Sequence, residues 1–193
     1  MKRPEHPYWS SASGADEDED SNNATEDKVR VDNNHIYYYS EVSRPRCAVL
    51  NKTIRNLSVR LYNQGQTLEN APANLYLHIN SYGGSVFAGL SPVVTIIDGC
   101  AASAATLMSV VGARRLMNKH SFMLIHQLSS GMWGKFEDLK DDLANCELFM
   151  ATIKGIYEEH TTIPKKKLAE LLKRDLWWDA QTCLEYGLID EII

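Results

Sequence analysis

The sequence predicts an α/β protein with parallel strand pairing. Short runs of strand-forming residues alternate with longer stretches in which apolar residues recur every three or four positions. Small residues stand directly after two of the strand-like runs, at Gly83-Gly84 and from Gly99 to Ser103. At 193 residues and 44% hydrophobic content, the chain is long enough for one good core and short for two. One folded domain over residues 29–193 is therefore expected, preceded by an acidic tail.

Charge is segregated along the chain. Residues 1–28 hold eight acidic and three basic side chains, and the remainder carries seventeen of each sign. Residues 10–28 contain no large apolar side chain, so nothing offsets their ordering entropy and their like charges repel. We read residues 1–28 as a disordered acidic tail. The neutral remainder has no basic excess to displace counterions from phosphates, which argues against a nucleic-acid partner. Cys47, Cys100, Cys146 and Cys183 are scattered without a Cys-x-x-Cys pair, so neither a metal site nor a disulfide framework is expected. No apolar run approaches the length that spans a bilayer, and the start of the chain lacks the apolar core of a signal peptide. A cytoplasmic protein with no membrane partner is the expectation.

His35 to Val42 is rich in strand formers and reads as the first strand. From Ser43 a helical pattern follows, carried by Val49, Leu50, Ile54, Leu57, Leu61 and Tyr62 to about residue 64, with a loop from Gly65 to Pro72. Leu75 to Asn80 is the second strand and runs straight into Ser81-Tyr-Gly-Gly-Ser-Val86. Val93 to Ile97 is a third, buried strand; Gly99 punctuates it, and the small residues after it open a helix. Ser121 to His126 is another buried strand. Gly134 to Tyr157 is a long amphipathic helix in which Phe136, Leu139, Leu143, Cys146, Met150, Ile153 and Tyr157 form a seam near period 3.5. At 1.5 Å per residue it is about 36 Å long, more than so small a domain covers, so we read it as an arm that packs on another subunit. Pro164 starts a last helix, Lys165 to Arg174, whose lysine run is a solvated face.

Ser103 sits among Ala101, Ala102, Ala104 and Ala105 at a helix start, with an unshielded hydroxyl beside unsatisfied backbone N–H groups. A nucleophile on a strand-to-helix turn needs those features, although small residues that let a helix pack closely account for them equally well. His126 ends a strand, where a lone histidine is ordinarily structural. Gly83 and Gly84 suit either a plain turn or backbone donors facing a ligand. All of these fall beyond the carboxyl ends of strands, where open α/β sheets bind ligands. A serine nucleophile needs a base, the base needs an acid group, and the developing oxyanion needs preorganised donors. Asp175, Asp179 and Asp190 are rivals for the acid.

Five segments occur in one order: Leu75-Tyr-Leu-His-Ile-Asn-Ser-Tyr-Gly-Gly-Ser-Val, Gly99-Cys-Ala-Ala-Ser-Ala-Ala, Met123-Leu-Ile-His-Gln127, Lys173-Arg-Asp175 and Glu185-Tyr-Gly-Leu-Ile-Asp190. Over roughly residues 35–193 the chain thereby resembles the ClpP serine peptidase family, the proteolytic subunits of the Clp protease. The resemblance implies Ser103 as nucleophile, His126 as base and Asp175 as the residue that orients it. It places the oxyanion hole at the N–H groups of Gly84 and Ala104. It also implies a crotonase-like spiral of β-α units with a long protruding oligomerisation helix, and two stacked seven-membered rings. The implied partners are an AAA+ unfoldase of the Clp type and unfolded polypeptide substrates. No metal or organic cofactor is implied, ATP being used by the unfoldase alone.

Two departures stand out. A parallel crossover ordinarily takes at least ~10–12 residues with its helix, and only Ser81 to Pro92 joins the Gly-Gly turn to the next strand, shorter than the family pattern. His78, Asp98 and Asn118 are polar where the family has an apolar pocket for unfoldase loops, although Tyr76 is retained, so an unfoldase with other docking chemistry is expected. The competing readings are a catalytically impaired ring subunit and a crotonase-like acyl-CoA enzyme, which has no need of a Ser-His-Asp set.

Overall fold

The computed structural model describes residues 29–67, 74–84 and 93–193. The acidic tail (1–28) and the shortened crossover (85–92) lie outside the described residues, as do 68–73.

The chain begins with an antiparallel hairpin, β1 (Val29–Asp32) and β2 (His35–Tyr38), turned at Asn33, whose φ of 53° suits an asparagine. α1 (Arg44–Thr67) leads to β3 (Tyr76–Ser81), and β4 (Val94–Ala102) follows. β2, β3 and β4 pair in parallel. The turn at Ser103 leads into α2 (Ala104–Val110), then β5 (Arg114–Met117) and β6 (Phe122–Leu124). α3 (Phe136–His160), α4 (Lys165–Leu171), β7 (Trp177–Asp179), α5 (Ala180–Glu185) and β8 (Glu191–Ile192) complete the chain. β8 adds to β5 in parallel, and β7 pairs antiparallel with β6.

Several boundaries differ from the sequence reading. β1, β5, β7 and β8 are too short to show a period. The first strand ends at Tyr38 rather than Val42, and α1 continues through Gly65 to Thr67. α3 spans Phe136–His160 rather than 134–157, starting at a capping box in which the Lys135 N–H donates to Asp138 Oδ2 at 3.0 Å. The instructive correction is at Gly99, which does not end its strand. β4 continues to Ala102 through a register shift opposite Asn80, whose Oδ1 accepts the Cys100 N–H at 3.1 Å. A Cβ on Gly99 would stand 3.0 Å from that oxygen. The irregularity lets one strand serve two neighbours: Val94–Ile97 pairs with β5, and Cys100–Ala102 with β6.

Strand alternation gives the sheet two unlike faces. On the inner face Ile36, Tyr38, Leu77, Ile79, Ile97 and Met117 are fully buried, with Leu50 and Ile54 of α1, Met108 of α2 and Leu168 of α4 in the same core. α2 is buried along its whole length, which is why alanines flank its start. On the outer face Val94, Ile96 and Leu116 form a small apolar cluster with Tyr76. Beside it His35, Tyr37, His78 and Asp98 pack through stacked rings and polar contacts. α3 buries only Ile153 and Tyr157, close to α2; Phe136, Leu143 and Leu148 are exposed.

Candidate active site

The site assembles where strands continue past their last paired residues in register. β4 and β6 pair Ala102 with Leu124, so Ser103 follows directly at the end of one strand and His126 lies two residues past the end of the other. The Ser103 N–H donates to the Leu124 carbonyl at 2.9 Å. β6 and β7 pair Leu124 with Trp177; two residues further along the same antiparallel register, His126 lies opposite Asp175. The Gln127 N–H donates to the Leu172 carbonyl at 2.7 Å, fastening the end of this segment to the turn that leads to Asp175. On the other side β3 pairs Ser81 with Ala101, which carries Gly83 alongside Ser103.

Ser103 has φ 55° and ψ −126°. A side chain in that region costs of order 1–3 kcal/mol and persists only where the surroundings impose it. Here the turn is held by β4 on one side and buried α2 on the other, and it lifts the serine out of the strand. Gly83 and Gly84 have φ of 100° and 143°. A Cβ on Gly83 would stand 2.6 Å from both the Ala102 oxygen and the Ser103 Cβ, and one on Gly84 would stand 2.0 Å from the Val42 oxygen. The Gly-Gly turn is thus wedged between the serine elbow and the segment after β2, and only glycine fits either position.

Backbone hydrogen bonding separates these N–H groups. Gly83 donates to Ser81 Oγ at 3.2 Å, and its carbonyl accepts from the Val42 N–H at 2.7 Å. The N–H of Ser103 is used by Leu124. Gly84 and Ala104 line the pocket, and Ala104, as first residue of α2, has no intrahelical acceptor for its N–H.

The pocket, about 200 Å3, is lined by Gly84, Ser103, Ala104 and His126 together with apolar Leu107, Leu128 and Ile153. His126 is largely enclosed, and its Nδ1 lies 3.5 Å from Asp175 Oδ1, whose side chain is 61% exposed. Burial disfavours the imidazolium and pulls the His126 pKa below its ordinary value of 6.5, against the opposing attraction of Asp175. The rival aspartates are engaged elsewhere. Asp179 caps α5, accepting the Thr182 N–H at 2.8 Å, which holds its carboxyl below the usual range. Asp190 pairs with the Arg115 side chain and accepts the Arg115 N–H at 2.8 Å. Gly84, Ser103, Ala104 and His126 therefore share one pocket, with Asp175 reaching it from behind the histidine.

Sequence reasoning missed the pocket's other walls. In the sequence Ile153 and Tyr157 show only as part of a packing seam, and Leu107 and Leu128 carry no signal beyond apolarity. Among the described residues no group of three or more His, Cys, Asp or Glu side chains is gathered as a metal site.

Fold and pocket together define the class, an α/β protein that carries a serine on a strained strand-to-helix elbow beside a histidine. Residues 31–193 match the Clp protease family, and the chain belongs to it. It is 32% identical over 137 residues to a Deinococcus radiodurans protein named ATP-dependent Clp protease proteolytic subunit, covering 65% of this chain and 67% of that one. A protein of the same name from Bacteroides fragilis is 34% identical over 132 residues, 62% of this chain and 64% of its own length. A second B. fragilis strain has one matched at the same identity over 60% of its length. The chain thus spans about two thirds or less of the curated relatives it matches.

Proposed function

We propose that this chain is a serine endopeptidase, the proteolytic component of a Clp-type protease. The carrying observation is the strained Ser103 elbow opening into the pocket that also holds His126, with Asp175 on the far side of the imidazole. His126 Nδ1 faces Asp175, which fixes the tautomer and leaves Nε2 to take the Ser103 proton. The Ser103 oxygen then attacks the peptide carbonyl, and the N–H groups of Gly84 and Ala104 receive the developing oxyanion. His126 returns the proton to the leaving amine, and water releases the acyl group by the same route in reverse. The apolar wall of Leu107, Leu128 and Ile153 favours an apolar side chain ahead of the cleaved bond. The chemistry needs no metal or organic cofactor.

The exposed half of the α3 seam, Phe136, Leu139 and Leu143, supports a stacked ring assembly, each such side chain gaining roughly 1.5–3 kcal/mol on full burial. The partners on this reading are further copies of the chain, arranged as two stacked heptamers, and an AAA+ unfoldase that consumes ATP and delivers unfolded polypeptide. The setting is the cytoplasm; no helix among the described residues is long and apolar enough to cross a membrane.

The 3.5 Å reach and high exposure of Asp175 favour one second reading, a catalytically impaired ring subunit. Triad contacts are often long before substrate binds. Hydrolysis of a fluorogenic peptide with leucine before the reporter decides between them: turnover that Ser103→Ala and His126→Ala both abolish supports the peptidase, and its absence in a folded, assembled protein supports the impaired subunit.

A further inference from the structure

Nothing in the Ser-His-Asp set aims the Ala104 N–H. That group shares a peptide plane with the Ser103 carbonyl, and in a trans peptide the two point in opposite directions. Whatever holds the Ser103 carbonyl therefore sets where the Ala104 N–H points. Thr106 holds it twice, through its own N–H at 3.0 Å and through Oγ1 at 2.6 Å.

Thr106 Oγ1 also hydrogen-bonds the Tyr157 hydroxyl. Proton bookkeeping fixes the direction of this chain. The Ser103 carbonyl has no hydrogen to give, so Thr106 donates its single hydroxyl proton there and must accept from Tyr157. Tyr157 is fully buried, and burial pushes its phenol well above the ordinary value, so it stays protonated and stays a donor. Thr106 is equally buried. Tyr157 comes from α3, about fifty residues away in sequence, and lines the same pocket as Ser103. The mechanism above uses neither hydroxyl.

We propose that Tyr157 and Thr106 are positioning residues for the oxyanion hole: a directed relay from the α3 hydroxyl through Thr106 to the Ser103 carbonyl fixes the Ala104 N–H on the pocket. The inference rests on Ala104 as an oxyanion donor. It distinguishes the two donors, since the Gly-Gly turn holds Gly84 through backbone contacts, whereas Ala104 depends on two side chains in addition to the Thr106 N–H. Because the oxyanion exists only in the transition state and the tetrahedral intermediate, loss of the relay lowers kcat and spares KM. It also leaves the titration of His126 alone.

The test uses the full chain as wild type, Thr106→Val, Thr106→Ser and Tyr157→Phe. It reads peptide hydrolysis across pH and amide hydrogen exchange over residues 103–107. Outright loss of one oxyanion donor typically costs ~10²–10³ in kcat, so a misaimed one is expected to cost about 10- to 100-fold in Thr106→Val and Tyr157→Phe. KM and the midpoint of the acid limb are expected to hold, Thr106→Ser to restore kcat to within about threefold, and exchange to quicken in Thr106→Val but not in Thr106→Ser. Thr106→Val is isosteric, and Tyr157→Phe removes a single oxygen, so each checks the other. The proposal is overturned if both keep kcat within about twofold of wild type, if Thr106→Ser loses as much as Thr106→Val, or if KM rises with kcat intact. A wild type that hydrolyses nothing sinks the peptidase reading instead; exchange then decides the relay alone, and unchanged exchange in Thr106→Val overturns it.

Discussion

Two aspartate–histidine pairs stand among the described residues, one at the strand ends and one on the outer face of the sheet. At the strand ends His126 Nδ1 lies 3.5 Å from Asp175; on the outer face His78 Nδ1 lies 3.0 Å from Asp98. Judged by that contact alone, the outer pair is the better dyad. Its surroundings differ. His78 Nε2 meets His35 Nδ1 at 2.8 Å, Asp98 also accepts from Tyr39 and Asn118, and Tyr37 stacks on the His78 ring at 4.4 Å. Burial on its own would push the Asp98 carboxyl up, but the bonds from His78 and Tyr39 outweigh it and hold the group below its ordinary value. His78, Asp98, Tyr39 and Asn118 satisfy one another there, which is how a half-buried polar cluster offsets its desolvation cost. The inner pair stands beside a strained serine, a Gly-Gly turn and a pocket, all beyond the carboxyl ends of strands. On the proposed reading, reactivity belongs to strand-end backbone geometry, and the dyad is only one component of it.

The sharpest way to break this comparison is to neutralise both aspartates. Asp175→Asn is expected to lower kcat by ~10³–10⁴, by releasing the histidine tautomer. Asp98→Asn is expected to leave kcat within about threefold of wild type while costing ~1–3 kcal/mol of stability in a urea melt. Equal kinetic losses would show that the two pairs are not functionally distinct. Next in size is Gly84→Ala, whose Cβ would meet the Val42 oxygen at 2.0 Å. Displacing the donor by ~1 Å is expected to lower kcat/KM about 100-fold. Gly131→Ala serves as control, since a Cβ there meets nothing within 4 Å.

The smallest effect is on pH. The buried His126 binds its proton below 6.5 in the folded state. The acid limb of kcat/KM is therefore expected to have its midpoint below 6.5, and Asp175→Asn to move it lower still, because the carboxylate's attraction opposes burial. The unfolded chain takes up that proton at the higher pH, so this histidine's contribution to stability is expected to fall as pH drops through 6.5. A midpoint above 6.5 would mean that Asp175 outweighs burial.

Element types, the order of the main strands and helices, and the positions of Gly84, Ser103 and His126 beyond strand ends were legible in the sequence. They rest on local patterns: β-branched runs, a 3.5-residue seam, glycines after strands. The path of β4 was not. Gly99 reads locally as a stop, yet Asn80, nineteen residues earlier, supplies the hydrogen bond that lets the strand bend and continue. Without that continuation the register linking Gly83, Ser103, His126 and Asp175 is invisible. Residue patterns alone leave Asp175, Asp179 and Asp190 as rivals, and only the resemblance singles out Asp175; the physical grounds against the other two are non-local, a helix cap and an ion pair with Arg115. Tyr157 was legible only as an apolar seam residue, because a hydroxyl's partner fifty positions away leaves no trace in spacing.

The central claim is that the strained Ser103 is activated by His126. The most direct measurement treats the wild-type protein with a fluorophosphonate probe and locates the adduct by peptide mass mapping. The account predicts one adduct on Ser103, lost in His126→Ala and retained in His78→Ala. An adduct on another residue, no adduct in a folded and assembled protein, or one that survives His126→Ala would contradict it.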